Sequence, residues 1–214
     1  MGDPSKFANI YEFRAYHIML FIMVLAELFI LIYTNGQQIN RFLNNRRQGV
    51  VSKKVHKDAG TRWLLVLNFV LSIEFSFYFV SRSVPETIRN YRLPEIVTII
   101  GILSMAAGVI LRLIAVLTLK RAFTLTVQTT EEQHLIQTGL YRKLRNPSYT
   151  GSILSLIGAA VGLRNVLGII VVCILNIICY SIRIQKEEKA LQARFQDEFI
   201  TYKKHSYRLI PYLW

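Results

Sequence analysis

The sequence predicts an all-α membrane protein, a polytopic helix bundle with about five transmembrane helices. Three observations carry that expectation. Apolar residues make up 52% of the 214 and fall into five long runs instead of being spread evenly. Polar segments separate the runs. The basic residues in those segments alternate between rich and poor along the chain.

The first three runs are Ala15 to Tyr33, Trp63 to Val80 and Ile96 to Leu119. A helix rises about 1.5 Å per residue and needs ~20 apolar residues to cross the hydrocarbon core, which these meet or nearly meet. The last two, Ser152 to Leu163 and Val166 to Ile182, are shorter. They read as a tight or tilted hairpin, the fourth and fifth membrane helices, joined at Leu163-Arg164-Asn165. Gln37 to Arg62 reads as a polar, basic loop, partly helical. Pro94 opens the third helix where proline is tolerated. Gly101, Ser104, Ala107 and Gly108 give that helix a small-residue face, and Gly158-Ala-Ala-Val-Gly162 gives one to the fourth. Small faces let helix backbones approach closely in lipid. Residues 185–205 read as an amphipathic helix, with Leu191, Phe195, Phe199 and Tyr202 on one face. One domain is expected, residues 1–120 holding three helices and 121–214 the remainder.

The net charge of +13 is distributed in a way that sets topology. Segments 41–62, 120–145 and 183–208 hold nineteen Lys and Arg, against six in the N-terminal segment, the 82–95 loop and the hairpin tip. Threading five helices places the rich segments on one face. By the positive-inside rule the N-terminus is then outside and the C-terminus cytoplasmic. The charge also attracts anionic membrane lipids. No nucleic-acid module accompanies it, so nucleic acid is not an expected partner. Cys173 and Cys179 lie six apart in the last run, neither a metal spacing nor an expected disulfide, and read as packing residues. The first run lacks a basic leader and a cleavage site and reads as a retained helix.

Glu27, Glu74 and Arg112 lie inside apolar runs, where ionisable residues are costly and functional candidates by default. Arg112 can snorkel to a nearby helix end, or pair with Glu27 or Glu74. There is no Gly-x-Gly, no Gly-x-Ser-x-Gly and no His/Cys/carboxylate cluster, so phosphate-loop, serine-hydrolase and metal chemistry lack their usual motifs. Two polar stretches remain, Gln128 to Gly151 and Arg183 to Glu188. The first offers Tyr141, Tyr149, an arginine and backbone amides beside a proline turn, groups that suit a compact ligand with an aromatic base and a zwitterionic tail. In the second, Arg183 stands one turn before Glu187 on a helix, so the two share a face. A carboxylate can hold an ammonium, and an arginine can clamp a carboxylate through two bonds. An interfacial charge network fits the same residues.

From about Phe123 to the C-terminus the chain resembles the isoprenylcysteine carboxyl methyltransferase family. The family's Arg-His-Pro-x-Tyr box is matched by Arg145-Asn-Pro-Ser-Tyr149, preceded by Gly139-x-Tyr141. A membrane hairpin and an acidic pair follow. The family's Phe-Gly-x-x-Tyr-x-x-Tyr segment, which ends at a proline, stands here as Phe195-Gln-Asp-Glu-Phe-Ile-Thr-Tyr202 and then Leu209-Ile-Pro211. The resemblance makes 121–214 the catalytic region, with a cytoplasmic cofactor pocket. It implies S-adenosylmethionine held by Gln128, by His134, Leu135 and Ile136, by Tyr141, by Asn146, Pro147, Ser148 and Tyr149, and by Glu187. Arg183 matches the position associated with the substrate carboxylate, so Arg183 and Glu187 are the expected catalytic pair. Asn146 replaces the family's His, Gln196 its Gly and Phe199 its Tyr.

The implied reaction is methyl transfer to the carboxylate of a prenylated cysteine or similar lipid-tailed acid. A C-terminal carboxylate of this kind ordinarily titrates at about 3.5, so it is ionised at neutral pH and needs no general base. A lipidic hydroxyl, such as an alkylpyrone, is the alternative acceptor and would need a base unless unusually acidic. A non-enzymatic membrane scaffold or small transporter is the third reading.

Overall fold

The structure, a computed structural model, describes residues 10–47, 61–81, 83–125 and 135–211. Each apolar run forms a helix, because runs of Leu, Ile, Val and Ala without internal proline leave the backbone to satisfy its own hydrogen bonds, as lipid requires. In chain order these are α1 (Ile10–Arg47), α2 (Thr61–Tyr78), the four-residue α3 (Glu86–Arg89), α4 (Ile96–Leu125), α5 (Pro147–Gly162) and α6 (Val166–Lys204), with a 3₁₀ turn at Gly139–Arg142. No strand occurs among the described residues, only two isolated bridges. Among the described residues three helices are long and apolar enough to cross a membrane, through Phe13–Thr34 of α1, Ile96–Leu119 of α4 and α6. Helix α5 has 16 residues, a rise of about 24 Å against a ~30 Å hydrocarbon core. Helix α2 is of similar length.

The core forms where α1, α4 and α5 meet, around Tyr16, Met23, Met105, Val109, Leu156, Ala159 and Leu163. Helices α4 and α5 pack through the small residues expected of them. A methyl group on Gly108 would lie 2.5 Å from the Ser155 nitrogen and 2.6 Å from the Gly151 oxygen. Both are backbone atoms, which cannot swing aside. Gly108→Ala therefore has to part the helices, and we expect a loss of about 2–3 kcal/mol, read as a lower melting temperature in detergent. Polar side chains add to the packing on α5: Thr98 of α4 donates to the Gly162 carbonyl at 3.1 Å, and Tyr16 of α1 to that of Ala159 at 2.8 Å. Between α2 and α6, Asn68 donates to Asn176 at 3.2 Å.

The hairpin turns at Leu163-Arg164-Asn165, as the sequence predicts. Arg164 takes a positive φ of 65°, and the Asn165 side chain caps α6 by accepting from the Gly168 nitrogen at 3.0 Å. The tip is tied to the α2–α4 connection, with the Leu93 nitrogen donating to the Arg164 carbonyl at 2.9 Å and the Asn165 amide to that of Ile88 at 3.0 Å. At the opposite end the segment before α5 pairs with the segment after α6: the Arg145 nitrogen donates to Tyr207 and the Tyr207 nitrogen to Lys143, each at 2.8 Å. The hairpin thus returns the chain to the end from which it left.

Two expectations need correction. Residues 185–205 do not start a helix of their own, since α6 runs on from the apolar stretch past Ile182 and breaks only later, at Gln196, before continuing to Lys204. The stretch Arg183 to Arg194 contains no glycine or proline and is rich in strong helix formers. Arg112 does not snorkel: α4 continues to Leu125, and the guanidinium instead meets Glu27 of α1 at 2.7 Å. Glu74 is exposed on α2 and takes no part in that pair.

One interruption lies inside α6. Gln196 has φ 43° and ψ −114°, a region that costs a side-chain-bearing residue roughly 1–3 kcal/mol and a glycine little. This is the position where the resembling family carries glycine. Gln196→Gly should raise stability by about 1 kcal/mol after the entropy glycine adds to the unfolded chain, seen as a higher melting temperature.

Candidate active site

The site is assembled from the two segments that the hairpin brings together. Gly139, with φ 59°, starts the 3₁₀ turn that buries Tyr141. Pro147 then occupies the first turn of α5, where its missing N–H costs nothing, and the Asn146 carbonyl accepts from the nitrogens of Tyr149 and Thr150 at 3.0 and 3.1 Å. That start fixes the direction of Tyr149 one turn into the helix.

Tyr149 meets α6. Its hydroxyl donates to Glu187 Oε1 at 2.8 Å and accepts from Arg183 Nε at 3.0 Å, while Arg183 Nη2 pairs with the same Glu187 oxygen. The side chain of Arg183 is 8% exposed and that of Glu187 31%. The carboxylate is the open edge of this triad and the guanidinium its floor. The triad continues inward, with the Tyr149 and Tyr180 rings 5.4 Å apart and the Tyr180 hydroxyl donating to Ser152 Oγ at 2.6 Å.

The remaining candidate residues stand as follows. Tyr141 is buried; its hydroxyl points to the Ala115 carbonyl at 3.5 Å, and Tyr202 donates to its carbonyl at 2.5 Å. Asn146 faces the C-terminal segment, donating to the Arg208 carbonyl at 3.0 Å. Pro147 is buried, and Ser148, Leu135 and Ile136 are half-buried. Gln128 and His134 lie outside the described residues. Phe199, which stands where the resembling family carries Tyr, is fully buried, with its ring 6.3 Å from that of Tyr202.

Sequence reasoning missed a second ionic cluster. Adjacent residues on a helix point about 100° apart, so Glu188 faces away from Glu187 and toward the C-terminal segment. It accepts from Arg145 Nε at 2.9 Å and from Arg208 Nη2 at 2.8 Å. Arg145 also reaches Ser206, donating to its carbonyl and, at 3.3 Å, to its Oγ. Residues 205–209 are thereby strapped across the start of α5, and Thr150 adds a bond to the Leu209 carbonyl at 2.8 Å. Glu188 lies beyond the apolar part of α6. Burial works to raise its carboxyl pKa, but the bonds from Arg208 and Arg145 hold it below the usual carboxylate range. The adjacent Glu-Glu was the available signal; which arginines would answer it was not legible.

Comparison with known proteins finds similarity to membrane methyltransferases. A family model described as phospholipid methyltransferase matches residues 96–198. The chain is 29% identical over 157 residues to a probable protein-S-isoprenylcysteine O-methyltransferase of Oryza sativa subsp. indica, spanning 72% of this chain and 81% of that protein. It is 33% identical over 121 residues to the protein-S-isoprenylcysteine O-methyltransferase of Saccharomyces cerevisiae, spanning 56% and 51%. The chain is similar to proteins of the isoprenylcysteine carboxyl methyltransferase family. Its similarity to the solved structure of a eukaryotic intramembrane Ras methyltransferase of this family is 23% in identity, with a TM-score of 0.49 over 77% of this chain and 55% of that one. Its three long apolar helices make the chain an integral membrane protein. The family's arginine-and-tyrosine box is split here between two tasks. Arg145 holds the C-terminal strap, and Tyr149 faces the Arg183–Glu187 pair.

Proposed function

We propose that the chain transfers a methyl group from S-adenosylmethionine to the carboxylate of a prenylated cysteine or a similar lipid-tailed acid. The observation that carries the reading is the contact of Tyr149 with both Arg183 and Glu187 across the hairpin. It sets an anion-binding and a cation-binding group side by side at one end of a membrane bundle. Five helices span the bilayer in this reading, with the N-terminus outside and the C-terminus cytoplasmic.

The residues fit the cofactor. The open carboxylate of Glu187 suits its ammonium group, and the half-buried Ser148 at the Pro147 turn, with the half-buried Leu135 and Ile136, suits its nucleoside. When bound, S-adenosylmethionine supplies an electrophilic methyl on a sulfonium centre. This chain's residues then have to position the acceptor and keep out water. Arg183 presents a planar fork to a carboxylate, and Tyr149 fixes its orientation through Nε. An amine acceptor would meet Arg183 as a like charge and would have to lose a proton first; an ionised carboxylate does neither.

Incubating the purified protein with methyl-labelled S-adenosylmethionine and N-acetyl-S-farnesylcysteine tests the acceptor. A labelled product that base releases as methanol is the expected ester. A base-stable label on an added lipidic phenol, with none on the cysteine analogue, would replace the carboxylate by a hydroxyl.

A further inference from the structure

Glu27 and Arg112 form an ion pair inside the apolar stretches of α1 and α4, and methyl transfer as described gives them no task. The pair is close, at 2.7 Å, and mostly buried, with side chains 16% and 15% exposed. Two charges at this depth are costly even when paired. Holding helices together does not require them, since the neutral donors Tyr16 and Thr98 already tie α1 and α4 to α5. What lies on the far side of Arg112 gives the pair a purpose. A methyl group on Gly151 of α5 would stand 2.7 Å from the Arg112 nitrogen and 2.9 Å from its Cβ, so the arginine crosses α5 at that glycine. The next residue, Ser152, accepts the Tyr180 hydroxyl at 2.6 Å. That hydroxyl interacts with Arg112 and feels the Glu27 charge.

Tyr180 is buried and forms the wall against which Tyr149 rests, the two rings tilted by 54° at 5.4 Å. Tyr149 in turn touches both Arg183 and Glu187 through its hydroxyl. A contiguous run of side chains therefore leads from the intramembrane pair to the triad: Glu27, Arg112, Tyr180, Tyr149. The joint between the tyrosines is a ring contact, which passes on position and not charge. Without the guanidinium, Tyr180 keeps Ser152 as its hydrogen-bond anchor and its ring gains freedom to tilt. We propose that Glu27 and Arg112 are positioning residues for the candidate active site: they fix the Tyr180 ring, and through it the angle at which Tyr149 sets Arg183 toward the acceptor carboxylate. The consequence for rate rests on the methyl-transfer reading; the linkage from the pair to Tyr149 does not.

A charge-free variant, Glu27→Gln with Arg112→Gln, tests this without stranding either charge. Single turnover with saturating S-adenosylmethionine should slow about tenfold, while affinity for S-adenosylhomocysteine stays within about twofold of the wild type. Tyr180→Phe should slow turnover by a similar factor, and the three substitutions together should slow it little further, because they cut one path. Glu74→Gln, which removes an exposed acid of α2, should change neither quantity. If the charge-free variant loses its cooperative melt, Arg112→Lys takes its place, keeping the ion pair and losing the planar fork. An unchanged rate, losses that multiply in the combined variant, or an equal fall in cofactor affinity would reduce the pair to a structural tie and overturn the proposal. Fluorine spectra of protein labelled with fluorotyrosine read the linkage without turnover. The Tyr149 signal, assigned by its loss in Tyr149→Phe, should shift in the charge-free variant and in Tyr180→Phe but not in Glu74→Gln. An unmoved Tyr149 signal would overturn the linkage, whereas a moved signal in a protein whose wild type transfers no methyl group would uphold it and sink the methyl-transfer reading.

Discussion

Arg183→Ala should abolish turnover while leaving affinity for S-adenosylhomocysteine within a few-fold of the wild type. The side chain is almost wholly buried and fixed from two sides, by Tyr149 through Nε and by Glu187 through Nη2. Its role in the proposed reaction is to hold the acceptor carboxylate, so its loss removes orientation, not cofactor contacts. Losing a preorganised donor of this kind costs about 10²–10³ in rate, and the loss of placement adds to it. Arg183→Lys keeps the charge without the planar fork and should recover only a small part. Single-turnover assays with saturating cofactor measure the first quantity and calorimetry the second. An equal loss of both would move Arg183 into the cofactor site.

The largest effect on stability should come from Glu188→Ala. Glu188 is 6% exposed and is held between Arg145 and Arg208. Removing one member of a buried ionic cluster strands the others, at a cost of about 3–5 kcal/mol. Here it leaves two guanidiniums facing each other and loosens the strap of residues 205–209 over the start of α5. Glu188→Gln should lose less, because its amide oxygen still accepts one bond. The same cluster sets an acid limit. A carboxyl whose folded pKa lies below its unfolded value stabilises the fold above the unfolded value, ~4.3 for glutamate, and loses that contribution as pH falls through the lower folded value. The melting temperature of the wild type should therefore fall between pH 5 and pH 3, and that of Glu188→Gln should fall less steeply.

Much of this architecture was legible in the sequence because it follows from local rules. Apolar run length fixed the helices, the small residues of α4 and α5 their close seam, and Leu163-Arg164-Asn165 the turn. Arg183 and Glu187 could be paired from their spacing of four on a helix. Tyr149 was legible as a site residue, but its contact with that pair depends on the helices' relative rotation, which spacing within one helix does not encode. The same limit hid the division of labour in Glu187-Glu188, where one acid faces the site and the other the strap. Residues 185–205 were read as a separate helix because the composition changes at Ile182. Composition marks where a helix leaves lipid, not where its hydrogen bonding ends. Gln196 shows the converse: a local break, with its positive φ, at a residue whose type gives no sign of one.

In the proposed reaction the hairpin joins the Asn146–Tyr149 turn and Glu187 into one cofactor site. Calorimetric titration of S-adenosylhomocysteine into the wild type and Glu187→Gln tests it most directly. We expect binding by the wild type and affinity about tenfold or more weaker in Glu187→Gln, as loss of a charge-assisted contact to an ammonium requires. A wild type that binds no S-adenosylhomocysteine, or a Glu187→Gln variant that binds it equally well, would contradict the account.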